Sequence, residues 1–373
     1  MQKIVIFISG LIVFCLCGCF HEEARSPVDP GPDTTDTTDT VAYHPDTVLL
    51  AKPKGFPPIP SFSENPLTAQ GIKLGRMLFY DPILSGDSTQ SCASCHSQAF
   101  GFTDNGKRFS TGIDGIQGGM NAPNIINPLW NKNFFWDGRA PQLEDQALGP
   151  VANPIEMHLS WQEAVKRLNR HVVYSDQFKR AFGTRKIDST LVVKAIAQFE
   201  RTFISASSKF DEAWNNGGFA GLVSQLSASE FRGFVLFNDD VRGECFHCHG
   251  QHPLFTDQAF HNTGLDSTVN GLGLGQVNGN SKDFGKWKTP TLRNLVFTGP
   301  YMHDGRFDSL EQVINFYSEE GPNSENLDPL LFEKGRKRGL KFTDQEKQDL
   351  IAYLKTLTDS SFIANPDFGN PFK

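Results

Sequence analysis

The 373-residue chain has no cysteine to spare for a structural disulfide. Of its seven cysteines, Cys15, Cys17 and Cys19 fall in the first nineteen residues, and the other four form two close pairs, Cys92 with Cys95 and Cys245 with Cys248. Stability must therefore come from packing and bound groups. Basic charge is also short. Thirty-five Lys and Arg against 42 Asp and Glu leave a formal charge of −7, which argues against nucleic acid as a partner. Tyrosine is sparse, six residues against 32 phenylalanines, an imbalance that suits dry pockets around a flat apolar group. No βαβ pattern surrounds either cysteine pair, so a thioredoxin-like dithiol lacks its setting. No two runs read as a hairpin. "GLGLGQVNG" at 271–279 has no strand leading in and no helix following, so it reads as a flexible loop rather than a phosphate cradle.

What is present begins with an export signal. Lys3 precedes the apolar run "IVIFISGLIVFCLCG", which is short for a membrane span. "LCGC" at 16–19 resembles a bacterial lipoprotein signal, with residues 1–18 removed and Cys19 lipidated. An ordinary cleaved signal with incidental cysteines is the alternative. Residues 19–46, rich in Pro, Thr and Asp, have little to bury and read as a flexible tether. The mature chain is thus expected on the periplasmic side, membrane-anchored. The remaining length and a hydrophobic content of 38 % allow about two globular domains.

The two cysteine pairs sit in "CASCH" (92–96) and "CFHCH" (245–249). C-x-x-C alone can be a dithiol, half a zinc site or an anchor for covalent haem. A histidine directly after the second cysteine favours haem, because the thiols add to the vinyl groups and the imidazole takes the iron. One zinc shared by both pairs would leave His96 and His249 unexplained. Two c-type haems are therefore expected, with His96 and His249 as proximal ligands.

The chain also repeats itself. "PNIINPLWNKNFFWDGRAPQLEDQ" from Pro123 and "PTLRNLVFTGPYMHDGRFDSLEQV" from Pro290 share Pro, Asn, Asp-Gly-Arg and Leu-Glu at an offset of 167 residues. Looser echoes are Leu-Phe before each haem motif (78–79, 236–237) and Phe-Thr-Asp after it (102–104, 255–257). Helical patterns fill the rest, with capping boxes expected at Ser160/Glu163, Ser227/Glu230 and Thr343/Glu346. The fold class is mainly α: two tandem cytochrome c-like haem domains with long loops, divided as 47–222 and 223–373, after the signal and tether. At the repeat offset Pro150 is the mate of Tyr317. Tyr can ligate iron and Pro cannot, so this position either closes the second haem and leaves the first open, or Tyr317 only packs in its helix.

"FFWDGRA", "GPVANPIEM", "KTPTLRN" and "YMHDGRF" resemble the bacterial di-haem cytochrome c peroxidases, including the MauG-type enzymes, from about Pro66 to Leu357. The resemblance implies that the haem on Cys92, Cys95 and His96 reduces hydrogen peroxide. The haem on Cys245, Cys248 and His249 then receives electrons from a small cytochrome c or copper protein. It further implies Trp136 between the haems, Glu156 as distal acid–base residue, Gln146 and Pro150 beside it, and a calcium ion at Asn121, Thr298 and Pro300. Two departures matter. The stretch "STGIDGIQGGMNAPN" has no histidine to block the first haem; Ile113 stands near that position. Tyr317 stands where standard members use Met to ligate the second haem; Met302 and His303 are rival ligands. These departures lean toward a MauG-like oxidase that modifies an aromatic residue of a partner protein. Peroxidase activity ranks first because it needs only the haem site, and a non-catalytic electron-transfer cytochrome is the third reading.

Overall fold

Helices dominate the computed structural model, which describes residues 42–373 apart from 251, 270, 320, 322–323 and 332–338. The expected signal peptide, Cys19 and most of the expected tether lie outside the described residues. The last residues of that tether are pinned: Asp46 N–H donates to Gln70 Oε1 at 2.9 Å, and Gln70 Nε2 returns a bond to Asp46 Oδ2 at 2.8 Å.

In chain order the helices are α1 (Ala69–Tyr80), α2 (Cys92–Cys95), α3 (Leu143–Ala152), α4 (Trp161–Arg170), α5 (Val172–Phe182), α6 (Ser189–Glu200) and α7 (Lys209–Asn215). There follow α8 (Phe219–Gln225), α9 (Ala228–Phe237), α10 (Phe246–His249), α11 (Leu274–Asn278), α12 (Leu310–Ser318), α13 (Asp344–Lys355) and α14 (Ser360–Ala364). Two-residue strands β1 (Phe260–His261) and β2 (Trp287–Lys288) pair antiparallel. None of the described helices is long and apolar enough to cross a membrane. The capping boxes at Ser227/Glu230 and Thr343/Glu346 are complete. At α4 Ser160 caps alone, because the Glu163 carboxylate turns outward to Lys166 instead of back to the cap. The expected loop at 271–279 is corrected: it contains α11. That segment folds back on 283–286, with Leu274 N–H on the Lys286 carbonyl and Gly285 N–H on the Leu272 carbonyl, and those anchors let a short turn of helix form.

Two apolar centres organise the described residues. One gathers Leu74, Leu78, Phe79, Phe102, Val151, Phe178, Phe199 and Phe203, joined by Phe362 and Phe368 from the C-terminal end. The other gathers Phe210, Phe237, Phe255, Leu350, Tyr353 and Leu357. Phe210 belongs to α7, which the sequence division assigns to the first domain, yet it packs on Phe234 and Tyr353 of the second centre. The centres are built alike. α1 lies along α6, and α9 along α13. Each contact passes over a glycine three residues before the Leu-Phe pair: a Cβ on Gly75 would come to 1.9 Å from the Ala195 carbonyl, and one on Gly233 to 1.9 Å from the Asp349 carbonyl.

The 167-residue repeat is structural as well. Phe134 bridges Ala140, and Tyr301 bridges Phe307, closing the same turn twice. Phe135 and Met302 both take positive φ, 64° and 74°, as do the following Gly138 and Gly305, a conformation only glycine adopts without cost. Arg139 bonds Asp137, and Arg306 bonds Asp304. α3 and α12 start at the equivalent residues Leu143 and Leu310, so Pro150 and Tyr317 occupy the same place on matching helices.

Candidate functional site

The first motif is held by aromatic packing. Phe102 is fully buried, stacks on Phe203 at 4.0 Å and takes φ of 61°. This aims its carbonyl at His96, whose Nδ1–H donates to it at 2.7 Å. Nε2 is then left with a free lone pair, the tautomer a metal-binding imidazole needs. Burial lowers the His96 pKa, which keeps the ring neutral. Cys92 and Cys95 on α2 are unpaired, and burial raises both thiol pKa values. Two free thiols followed by a neutral, oriented imidazole fit covalent haem.

The second motif fits similarly. Cys245 and Cys248 are unpaired. Burial pushes the His249 pKa down to about 4, against the pull of the nearby Pro290 carbonyl, and Nδ1 is buried without a hydrogen-bond partner. His261 beside Cys248 is held as a cation, its pKa pushed up to about 12 first by Asp257 and then by Asp328. α12 brings Tyr317 to this motif. Burial, then the Cys248 and Cys245 sulfurs, raise its phenol pKa far above the usual range, and the hydroxyl has no hydrogen-bond partner among the described residues. His303, a rival ligand, is otherwise engaged: its ring stacks on Trp287 at 3.9 Å, and Nε2 lies 3.7 Å from Asp266.

Near the first motif two loops are fastened together. Ile113 N–H donates to the Glu156 carbonyl at 3.0 Å, and His158 pairs with Asp114 at 2.5 Å. Glu156 is half-buried and close enough to Cys92 and Cys95 to act on both thiols electrostatically. Burial raises its pKa, opposed by a hydrogen bond from Asn153 Nδ2 to Oε1 at 2.6 Å and by the Arg139 charge. The amide that holds Glu156 is thus Asn153, while Gln146 lines the neighbouring cleft. Asn153 lies in "NPIEM", three residues before the acid, a spacing that suits such a bond.

A solvent-open cleft beside the first motif is lined by residues of both repeats. His96, Trp136, Gln146, Glu200, Lys288 and Pro290 are among its lining residues. Trp136 Nε1–H donates to the Asn121 carbonyl at 2.8 Å, and Asn121 N–H to the His303 carbonyl at 2.9 Å, so one buried residue ties both repeat mates. Asn121 Nδ2 is spent on the Lys107 and Arg108 carbonyls, leaving Oδ1 as its spare acceptor. Thr298 is buried, and among the described residues no hydrogen bond joins it or Pro300 to Asn121. Glu200 carries no signal in sequence beyond its place at the end of a helical run, and Lys288 is marked only as the first residue of "KTPTLRN". Burial brings the Lys288 pKa down to about 8. His252 is interior, with its side chain 6 % exposed and Nε2 3.2 Å from Asp211.

Comparison with known proteins agrees with this arrangement. Residues 69–217 match the family model described as di-haem cytochrome c peroxidase. The chain is 37 % identical over 302 residues to the methylamine utilization protein MauG of Methylorubrum extorquens, covering 80 % of this chain and 81 % of that one. It is 35 % identical over 310 residues to the cytochrome c551 peroxidase of Nitrosomonas europaea, covering 82 % and 84 %. Among solved structures, a MauG-like protein associated with microbial copper homeostasis superimposes with a TM-score of 0.74 at 36 % identity, over 86 % of this chain and 99 % of that one.

Proposed function

This chain belongs to the di-haem cytochrome c peroxidase family, and on that premise we propose that it reduces hydrogen peroxide to water at its N-terminal haem site. It is an oxidoreductase of the cytochrome c peroxidase type, and membership implies two c-type haems. Cys92, Cys95 and His96 would hold one, and Cys245, Cys248 and His249 the other. A haem bound at the first motif supplies an iron at which peroxide is taken up. The chain supplies the proton chemistry. Glu156 would accept the proton of the near peroxide oxygen and deliver it to the far oxygen, so that the O–O bond breaks and one water leaves; two electrons from the small redox donor and two protons from solvent would complete the reduction of the remaining oxygen to the second water. Asn153 fixes the carboxylate, and with Arg139 it offsets part of the cost of burying the charge. Ile113, bonded to the Glu156 backbone, fills the loop without offering a ligand. Trp136 on the cleft wall is the aromatic step between the two sites.

The observation that carries this reading is the half-buried Glu156 carboxyl, held by Asn153, with its pKa raised by burial and near enough to the thiols of the first motif to act on them electrostatically. Steady-state peroxide consumption with a reduced small cytochrome as donor tests it. Turnover without prior reduction of the enzyme is expected; no turnover with any small cytochrome or copper-protein donor overturns it. A second reading, a MauG-like oxidase acting on an aromatic residue of a partner protein, is favoured by Tyr317 beside Cys245 and Cys248. Two haem domains, one around each apolar centre, are part of the proposal, with the division placed before Phe210 rather than at 222/223, because Phe210 and Leu222 join the second centre. Asn121 Oδ1, Thr298 and Pro300 remain the proposed calcium ligands. Export and anchoring through Cys19, with an electron donor outside the cytoplasm, complete the proposal.

A further inference from the structure

Glu200 ends α6 and is only 3 % exposed, yet its carboxyl makes no hydrogen bond among the described residues, and Oε2 is fully buried without a partner. A buried carboxyl left in this state is costly and calls for an explanation. Its neighbour Arg201 does not supply one. That guanidinium is turned away onto Glu144, with paired bonds at 2.8 and 2.7 Å, and lies over the Phe62 ring. Glu200 instead lines the cleft together with His96 and Gln146. It is also the strongest charged influence on the Cys92 thiol after burial. The group is therefore built into the wall of the first haem site with no hydrogen bond to hold its charged form.

We infer that Glu200 is the redox-linked proton carrier of the first haem site, protonated while that haem is reduced and deprotonated when it is oxidised. The inference rests on the reading that Cys92, Cys95 and His96 hold a haem. On oxidation one electron leaves for an external mediator and one proton leaves Glu200 for bulk water; reduction reverses both. The positive charge gained at the haem stabilises the carboxylate across a low-dielectric gap. Burial places the Glu200 pKa at about 8, lowered by Arg201 and raised by Glu144, so the proton is present near neutrality and can be lost there. Few other charges face it. α3 contributes Glu144, already paired; α1 contributes Arg76, committed to the Gly369 and Pro366 carbonyls; Lys288 stands on the cleft wall, donating to the Asn133 carbonyl. Glu156 is less suited, because Asn153 and Arg139 favour its charged form.

The test is a spectroelectrochemical titration of the first haem in the holoprotein, across roughly pH 6 to 10, in wild type, Glu200→Gln and Glu200→Asp. In wild type the midpoint potential should fall with pH, approaching about 59 mV for each tenfold change in proton concentration at full coupling. Glu200→Gln should lose that slope. Glu200→Asp should keep it with the range displaced. Redox-difference infrared spectra should show a protonated carboxyl band lost on oxidation in wild type and absent in Glu200→Gln. An unchanged slope in Glu200→Gln overturns the inference. Should that variant fail to assemble, a wild-type carboxyl region that ignores oxidation overturns it equally. Haem content separates the two levels: a wild-type chain without covalent haem refutes the site reading, whereas two haems without the slope refute only the role of Glu200.

Discussion

Replacing Glu156 by Gln removes the proposed proton shuttle while keeping its size and the bond to Asn153. The carboxylate sits half-buried near Cys92 and Cys95, and Asn153 Nδ2 approaches Oε1 to 2.6 Å. An amide at this place accepts that bond but cannot take the peroxide proton. General acid–base roles are worth roughly 10²–10⁴ in rate, or about 2.7–5.4 kcal/mol of barrier. Peroxide turnover should fall by that factor with both haems retained. The pH profile adds a second readout. Burial raises the Glu156 pKa above its ordinary value, and the base form is the active one. Activity should therefore fall on the acid side as pH drops through this raised pKa, at higher pH than an exposed glutamate would give. Glu156→Gln should lack that limb. Asn153→Ala, which removes a bond favouring the charged form, should move it to still higher pH. Turnover of Glu156→Gln within a few-fold of wild type, or an acid limb that persists in it, would refute the reasoning.

Tyr317→Phe should convert the second haem from low spin to high spin in the ferric protein while leaving its attachment intact, since Cys245, Cys248 and His249 are untouched. Electron paramagnetic resonance reads this directly, and an unchanged low-spin signal would reduce Tyr317 to a packing residue. Arg293→Ala should destabilise the fold by about 3–5 kcal/mol, because it strands a buried charge: Arg293 is fully buried and bonds both oxygens of Asp211 at 2.7 and 2.8 Å. Arg293 holds the Asp211 pKa well below the usual carboxylate range, so this stabilisation is present above the ordinary carboxylate pKa and lost only in strong acid. Chemical denaturation at neutral pH checks it, and a loss under 1 kcal/mol would show that the pair adds little.

Much of this architecture was legible because it is written in local rules. The Ser227 and Thr343 capping boxes follow from residues three apart, and the 167-residue repeat foretells two matching turns and the equivalence of Pro150 with Tyr317. What sequence did not disclose depends on tertiary approach. Asn153 stands three residues before Glu156, a spacing that suits their bond, but the burial that raises the Glu156 pKa comes from the fold around it. Glu200 looks like an ordinary helix-ending acid until α1 and α3 close over it. His252 becomes interior only because Asp211, far away in the chain, accepts it. The return of Phe362 and Phe368 to the first apolar centre likewise needs the whole fold, with Arg76 and Gln98 binding carbonyls near the C-terminal end.

The central claim is that the two haem sites differ on their distal sides, with the first open and the second closed by Tyr317. Quantitative electron paramagnetic resonance of the fully ferric wild-type protein tests it most directly. One high-spin and one low-spin haem, in equal amounts, are predicted: the first from the site at His96, where Ile113 and Pro150 offer no ligand, and the second from the site at His249. Two low-spin haems would show that another residue closes the first site, and two high-spin haems that Tyr317 does not close the second; either result contradicts the account.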